Sequence, residues 1–190
     1  MSFPANLDRH REAVFDILSE ALREGRIRSA LKTRGISMEP LIRERDEVVL
    51  EARPLDAIVP GALIGFRLLD ALVVHRVAAI VEKDGVRLFY EKGDNNMYLT
   101  PVVPEAILGV AVAVVTAERR LDLLAPRFRR LGRFVAAWGL VAVKLFGAAR
   151  AQGRRVFPLG SPASRVARSL LYALLQLPIR VPLAIARRVF

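Results

Sequence analysis

The chain changes character near residue 118, and this break limits what it can fold into more than any other feature. Residues 1–118 carry 15 Lys/Arg and 18 Asp/Glu, whereas residues 119–190 carry 15 basic residues against a single acid, Asp122. A net charge of −3 is followed by one of +14, which predicts a near-neutral domain joined to a strongly basic tail. The expected division is a helical segment over 1–34, a β domain over 35–118 and a helical tail over 119–190. Hydrophobic residues make up 53% of the sequence, which excludes a disordered polar chain. With no cysteine, and only His10 and His75 as histidines, thiolate chemistry and a multi-histidine metal centre are not expected, and no cofactor is.

Within residues 8–32, Val14, Ile17, Leu18, Ala21 and Leu22 fall on one helical face, with Gly25 a point of weakness. Charges crowd Asp8 to Glu12, so no export-type apolar core is expected there. From Gly35 the pattern turns to short β-like runs at 47–51, 62–67, 72–81, 86–91 and 106–115. Pro54, Pro60-Gly61, Asp84-Gly85 and Gly93-Asp94-Asn95-Asn96 separate them, and Asp84-Gly85 between two apolar runs is a hairpin signal. The absence of βαβ alternation predicts a mainly β fold, a small antiparallel β domain with a helix before it and helices after it.

Two further helices are expected in the tail, over 134–149 and 164–177. Ser161-Pro162 suits the start of the second, and Pro178 and Pro182 are expected to stop it. Lys144 interrupts the first apolar run, and that run is shorter than the ~20 residues a membrane span needs.

Taken singly, the polar motifs of the β region say little. A serine near glycine is most often a turn residue, a histidine in an apolar run is most often part of the core, and Gly-Asp-Asn-Asn reads as a turn. Taken in order they are more specific: Gly35-Ile36-Ser37-Met38-Glu39-Pro40, then Val48-Val49-Leu50, then Pro60 to Arg67, then Val73-Val74-His75-Arg76-Val77, then Glu91-Lys92-Gly93-Asp94-Asn95-Asn96. Over roughly residues 35–115 this series resembles the signal peptidase I family, within the broader group that includes self-cleaving repressor peptidases. The likeness is to the archaeal, reticulum and spore-former branch, with Ser-Met-x-Pro at the nucleophile and His-Arg-Val where bacterial enzymes carry lysine.

The resemblance implies a serine endopeptidase that binds peptide as an added β-strand and cleaves after small residues such as alanine. Ser37 would be the nucleophile, with His75 as the base that takes its proton and returns it to the leaving amine. Asp94 is the candidate carboxylate on the far ring nitrogen. Met38 and Pro40 are candidates for contact with substrate, although a methionine beside a nucleophile packs in the core by default. Arg76 is expected to pack or to pair with an acid rather than take part in bond breaking. Two departures stand out. Gly35 occupies a position where the family commonly has a serine that helps hold the oxyanion, leaving backbone N–H groups for that task. Residues 97–101 also lack the acids that the reticulum-type branch carries there.

Arginines alternating with Leu, Val, Phe and Trp in the tail suit an anionic membrane surface better than nucleic acid, for which no groove-reading motif is present. A helical lid packed on the domain is the other reading of the tail. The expected setting is a membrane-associated protein, peripheral or with a shallow hairpin, on the cytoplasmic face. Two alternatives to an active peptidase are an inactive peptide-binding module of the same fold and a self-cleaving regulator using a Ser–Lys pair through Lys83 or Lys92.

Overall fold

The computed structural model describes residues 16–17, 20–22, 29–69, 71–156 and 162–189. It has a mixed α/β architecture, in which an open antiparallel sheet is followed by two long helices. The strands are β1 (Ser29–Lys32), β2 (Glu47–Glu51), β3 (Leu63–Leu68), β4 (Ala71–Lys83), β5 (Val86–Lys92), β6 (Thr100–Val102), β7 (Ile107–Val115) and β8 (Arg120–Asp122). They pair in the order β1-β2-β7-β3-β4-β5-β6, with β8 added to β7. The sheet does not close, because β1 and β6 stand at its two ends.

Each of the five expected strands forms, with bounds moved by a residue or two. β7 pairs with β2 at one edge and with β3 and β8 at the other, and its side chains enter apolar clusters on both faces of the sheet, so it is buried along almost all its length. Its unbroken apolar run is what a strand covered on both faces requires. Asp84 (φ 52°) and Gly85 (φ 75°) both occupy the left-handed region, as a two-residue hairpin turn demands. They set the register Lys83↔Val86 between β4 and β5.

The helix expected over 8–32 is corrected at its end. Residues 29–32 form β1, paired with β2 in the register Ser29↔Leu50 to Lys32↔Glu47. Asp16, Ile17 and residues 20–22 are helical, with Leu22 buried and Ile17 exposed. Val14, Leu18, Gly25 and the expected cap Ser161 lie outside the described residues. The sheet thus reaches beyond 35–118 at both sides, since β8 also joins it.

The tail folds into α1 (Pro126–Val156) and α2 (Pro162–Val189). α1 buries a face of Phe128, Gly132, Val135, Ala136, Gly139 and Ala142, with Phe128 and Val135 in the core of the sheet domain and Gly132 and Gly139 over Arg76 and Lys92. The stripe repeats every three or four residues, the period that keeps one helical face inward. Gly61 (φ +98°) and Gly132 bring two backbones together there, and a Cβ on Gly61 would stand 2.5 Å from the Arg133 amide nitrogen. α2 buries Leu175, Ile179, Leu183 and Ala186. It runs on through Pro178 and Pro182, which were expected to end it. That buried face holds the helix together across the two lost backbone donors, so packing overrides the local cost of proline. Trp138 Nε1 donates to the Leu175 carbonyl at 2.9 Å and ties the two helices together. Arg187 donates to the Leu41 carbonyl at 2.8 Å and to Asp46 Oδ1 at 3.0 Å, anchoring the end of α2 beside β2.

Both helices are long and apolar enough to cross a membrane, over 126–152 and 164–189, with 22% and 28% of their apolar windows buried. The expected helices 134–149 and 164–177 fall short of them, because the arginines of α1 and the prolines of α2 look locally like boundaries. α2 presents Val166, Leu170, Leu174, Leu177, Val181 and Ile185 outward along almost its whole length.

The Gly61 contact gives a direct test. Gly61→Ala is expected to lower stability by about 3 kcal/mol in denaturant unfolding, because it meets backbone as well as a strained φ. Gly85→Ala, which faces open space, should cost only about 1–2 kcal/mol.

Candidate active site

Ser37 lies in the connection between β1 and β2, and the turn after β5 holds its backbone in place. The Asn95 amide donates to the Ser37 carbonyl at 2.7 Å, and Asn95 Nδ2 donates to the Ile36 carbonyl at 3.3 Å. The Asp94 amide donates to Met38 Sδ at 3.5 Å. Gly93 passes so close that a Cβ there would stand 2.9 Å from the Ser37 carbonyl oxygen and 2.6 Å from Asn96 Nδ2. The Gly-Asp-Asn-Asn sequence is therefore a turn, and one that docks on the serine loop.

His75 extends from β4 toward this loop. Its Nε2 lies 2.9 Å from Ser37 Oγ and its Nδ1 lies 2.6 Å from Glu91 Oε2. A carboxylate only accepts hydrogen bonds, which assigns the ring proton to Nδ1 and leaves Nε2 to accept from the serine hydroxyl. His75 and Glu91 are buried, and Ser37 is half-buried. Phe66 stands beside the imidazole with ring centroids 6.1 Å apart, as a diagonal cross-strand neighbour should.

Asp94, the expected partner of His75, is engaged elsewhere. It takes a bidentate ion pair from Arg76, with Nε to Oδ1 and Nη2 to Oδ2 both 2.7 Å, and Arg76 Nη1 donates to the Gly61 carbonyl at 2.8 Å. Residues 75 and 76 are neighbours on a strand and point to opposite faces. His75 and Glu91 thus share the face of the serine, while Arg76 and its register partner Lys92 share the face covered by α1.

The correction from Asp94 to Glu91 has a specific cause. The hairpin register of Lys83↔Val86 and Ala79↔Tyr90, carried on unbroken, would put residue 94 opposite His75. A bulge between Val77 and Ala79 shifts the pairing to Val77↔Glu91 and Arg76↔Lys92. That one-residue slip exchanges the faces of everything beyond it. The signal available in the sequence was Glu91 itself, an acid at the end of an apolar strand.

Met38 is buried in the apolar core, and Pro40, half-buried, follows a cis peptide bond to Glu39. Gly35 has φ +90° with open space around it, a backbone conformation that suits glycine better than serine. Neither lysine of the Ser–Lys alternative reaches Ser37. Lys83 lies at the hairpin end of β4, and Lys92 Nζ donates to the carbonyls of Gly93 (3.0 Å) and Asp94 (3.4 Å). Burial brings the Lys92 ammonium down from 10.5 to about 8, with Arg76 adding to the effect and Asp94 and Glu91 opposing it. Gly139 of α1 covers its stem, where a Cβ would stand 3.2 Å from Lys92 Cδ.

No protein-family model matches the chain, and no curated protein matches it.

Two outcomes follow for stability. Asp94→Ala leaves Arg76 buried without its charge partner and is expected to cost about 3–5 kcal/mol, whereas the isosteric Glu91→Gln should change unfolding by only about 1 kcal/mol. Separately, a lysine held below its ordinary pKa loses its proton more readily folded than unfolded. Wild-type stability relative to Lys92→Met should therefore rise as pH climbs from about 8 to 10.5, by on the order of 3 kcal/mol in all, and stay flat below that window. Paired denaturation curves across that range check the sign.

Proposed function

We propose that this protein is a serine endopeptidase of the signal-peptidase type, working at a membrane with Ser37 as nucleophile, His75 as general base and Glu91 as the carboxylate that orients the imidazole. The observation that carries the reading is the unbroken line from Ser37 Oγ through both ring nitrogens of His75 to Glu91, with separations of 2.9 and 2.6 Å. Its connectivity is that of a serine–histidine–carboxylate triad, a constellation recognised by geometry rather than by chain order, and this supports the reading.

The chemistry proceeds as general acid–base acyl transfer. Ser37 Oγ attacks the scissile carbonyl carbon as its proton passes to His75 Nε2. Glu91, accepting from Nδ1–H, stabilises the imidazolium that results. When the C–N bond breaks, the imidazolium gives that proton to the departing amine and leaves an acyl-enzyme on Ser37. A water then attacks the ester with His75 again as base, releasing the new carboxyl group and restoring the serine hydroxyl. With glycine at position 35, backbone N–H groups carry the oxyanion.

Two features support a peptide substrate. β1 stands at one end of the strand order and its chain leads within a few residues to Ser37, so an extended peptide can add to the sheet and bring its backbone to the hydroxyl. Ile36, 63% exposed beside the serine, offers that peptide an apolar surface. The membrane part of the reading rests on the two long apolar helices and on the outward apolar stripe of α2. Because the stripe runs the length of α2 instead of gathering at one end, it favours a helix pair lying in the lipid interface.

The test is labelling by a serine-reactive peptide aldehyde or fluorophosphonate probe. Ser37→Ala and His75→Ala are expected to abolish it, and Glu91→Gln to slow it roughly 10²- to 10⁴-fold, while Asp94→Asn acts only indirectly, through the turn that holds Ser37 and through stability. Labelling that persists unchanged in His75→Ala contradicts the proposal.

A further inference from the structure

Away from Ser37, a cleft of about 670 Å³ opens between the loop joining β2 to β3 and the start of α1. That volume lies within the range of small-molecule sites. Its floor is apolar, built from Leu41, Leu63, Ala111, Phe128 and Leu183. Its lining also includes Arg53, Arg129, Arg130 and Arg133, and no acid is among the described residues that line it. Arg53 has Glu51 at 3.3 Å. Arg129, Arg130 and Arg133 are exposed and form no ion pair among the described residues. α1 begins at this place with no acid in its first turn, so the positive end of its backbone dipole adds to the arginines.

An apolar floor beneath a cationic rim matches one class of ligand, an amphiphile with an anionic head. Nucleic acid would leave the floor unfilled, and a free anion would use only the rim. The arginines stand where α1 starts, and the outward apolar residues Phe134, Val141 and Leu145 follow along the same helix. We infer that this cleft binds an anionic phospholipid, with the phosphate among Arg129, Arg130 and Arg133 and an acyl chain on Leu63, Ala111 and Phe128. The inference rests on the membrane reading above, since a bilayer supplies the ligand.

The experiment uses the full chain in nanodiscs containing a photoreactive phospholipid with its diazirine in the acyl chain, offered with either a glycerol (anionic) or a choline (zwitterionic) headgroup, and adducts are mapped by peptide mass spectrometry. Adducts within 57–63 and 123–133 are expected, favouring the anionic lipid about 10- to 100-fold, with the preference lost when Arg129, Arg130 and Arg133 are changed together to Gln. Adducts confined to 166–189 and indifferent to headgroup would overturn the cleft proposal and leave membrane association standing. Failure of the protein to associate with discs of either composition would overturn both. Full displacement by millimolar inorganic phosphate would reassign the rim to a soluble anion and overturn the lipid.

Discussion

A guanidinium carries its donors in one rigid plane, and Arg76 uses that plane to tie the turn after β5 to the loop before β3. From β4 it reaches Asp94 in the turn after β5 with two bonds and the Gly61 carbonyl in the loop before β3 with a third. Gly132 of α1 closes over it, its Cβ position 3.1 Å from Arg76 Nη1. Burying an ion pair is costly unless its donors find acceptors, and here the geometry meets that demand. The turn that Arg76 fixes is the one that grips the chain at Ile36, Ser37 and Met38. The ion pair thus acts on Ser37 through the turn, without touching it.

The same pair of strands serves two faces. His75 and Arg76 are adjacent on β4, and Glu91 and Lys92 are adjacent on β5, so alternation sends one of each pair to the serine and the other to α1. The bulge between Val77 and Ala79 decides which carboxylate meets the imidazole. Without it, Glu91 would fall on the face of the helix and the acid of the turn would fall opposite His75. The bulge separates an acid that orients the imidazole from an acid that holds structure.

Much of the sheet was legible because its longer strands are apolar runs set off by residues that turn the chain, as at Asp84-Gly85. β1, β6 and β8 were not, since three or four residues are too few to show alternation. Ser37 and His75 could be picked out by motif order, and they do meet. Glu91 stood out only as an acid ending an apolar strand, and the bulge that turns it toward His75 leaves no mark in composition. Pro178 and Pro182 misled for the opposite reason: their local cost is plain in the sequence, while the buried face of Leu175, Ile179 and Leu183 that outweighs it appears only in the packed structure.

Glu91, and not Asp94, holds the His75 imidazole, and proton NMR of the ring reads this directly. With only two histidines in the chain, His10→Gln leaves His75 as the sole imidazole. A far-downfield Nδ1–H resonance is predicted, one that persists in Asp94→Asn and disappears in Glu91→Gln, with the domain folded in both. A resonance that survives Glu91→Gln and is lost in Asp94→Asn would contradict this assignment.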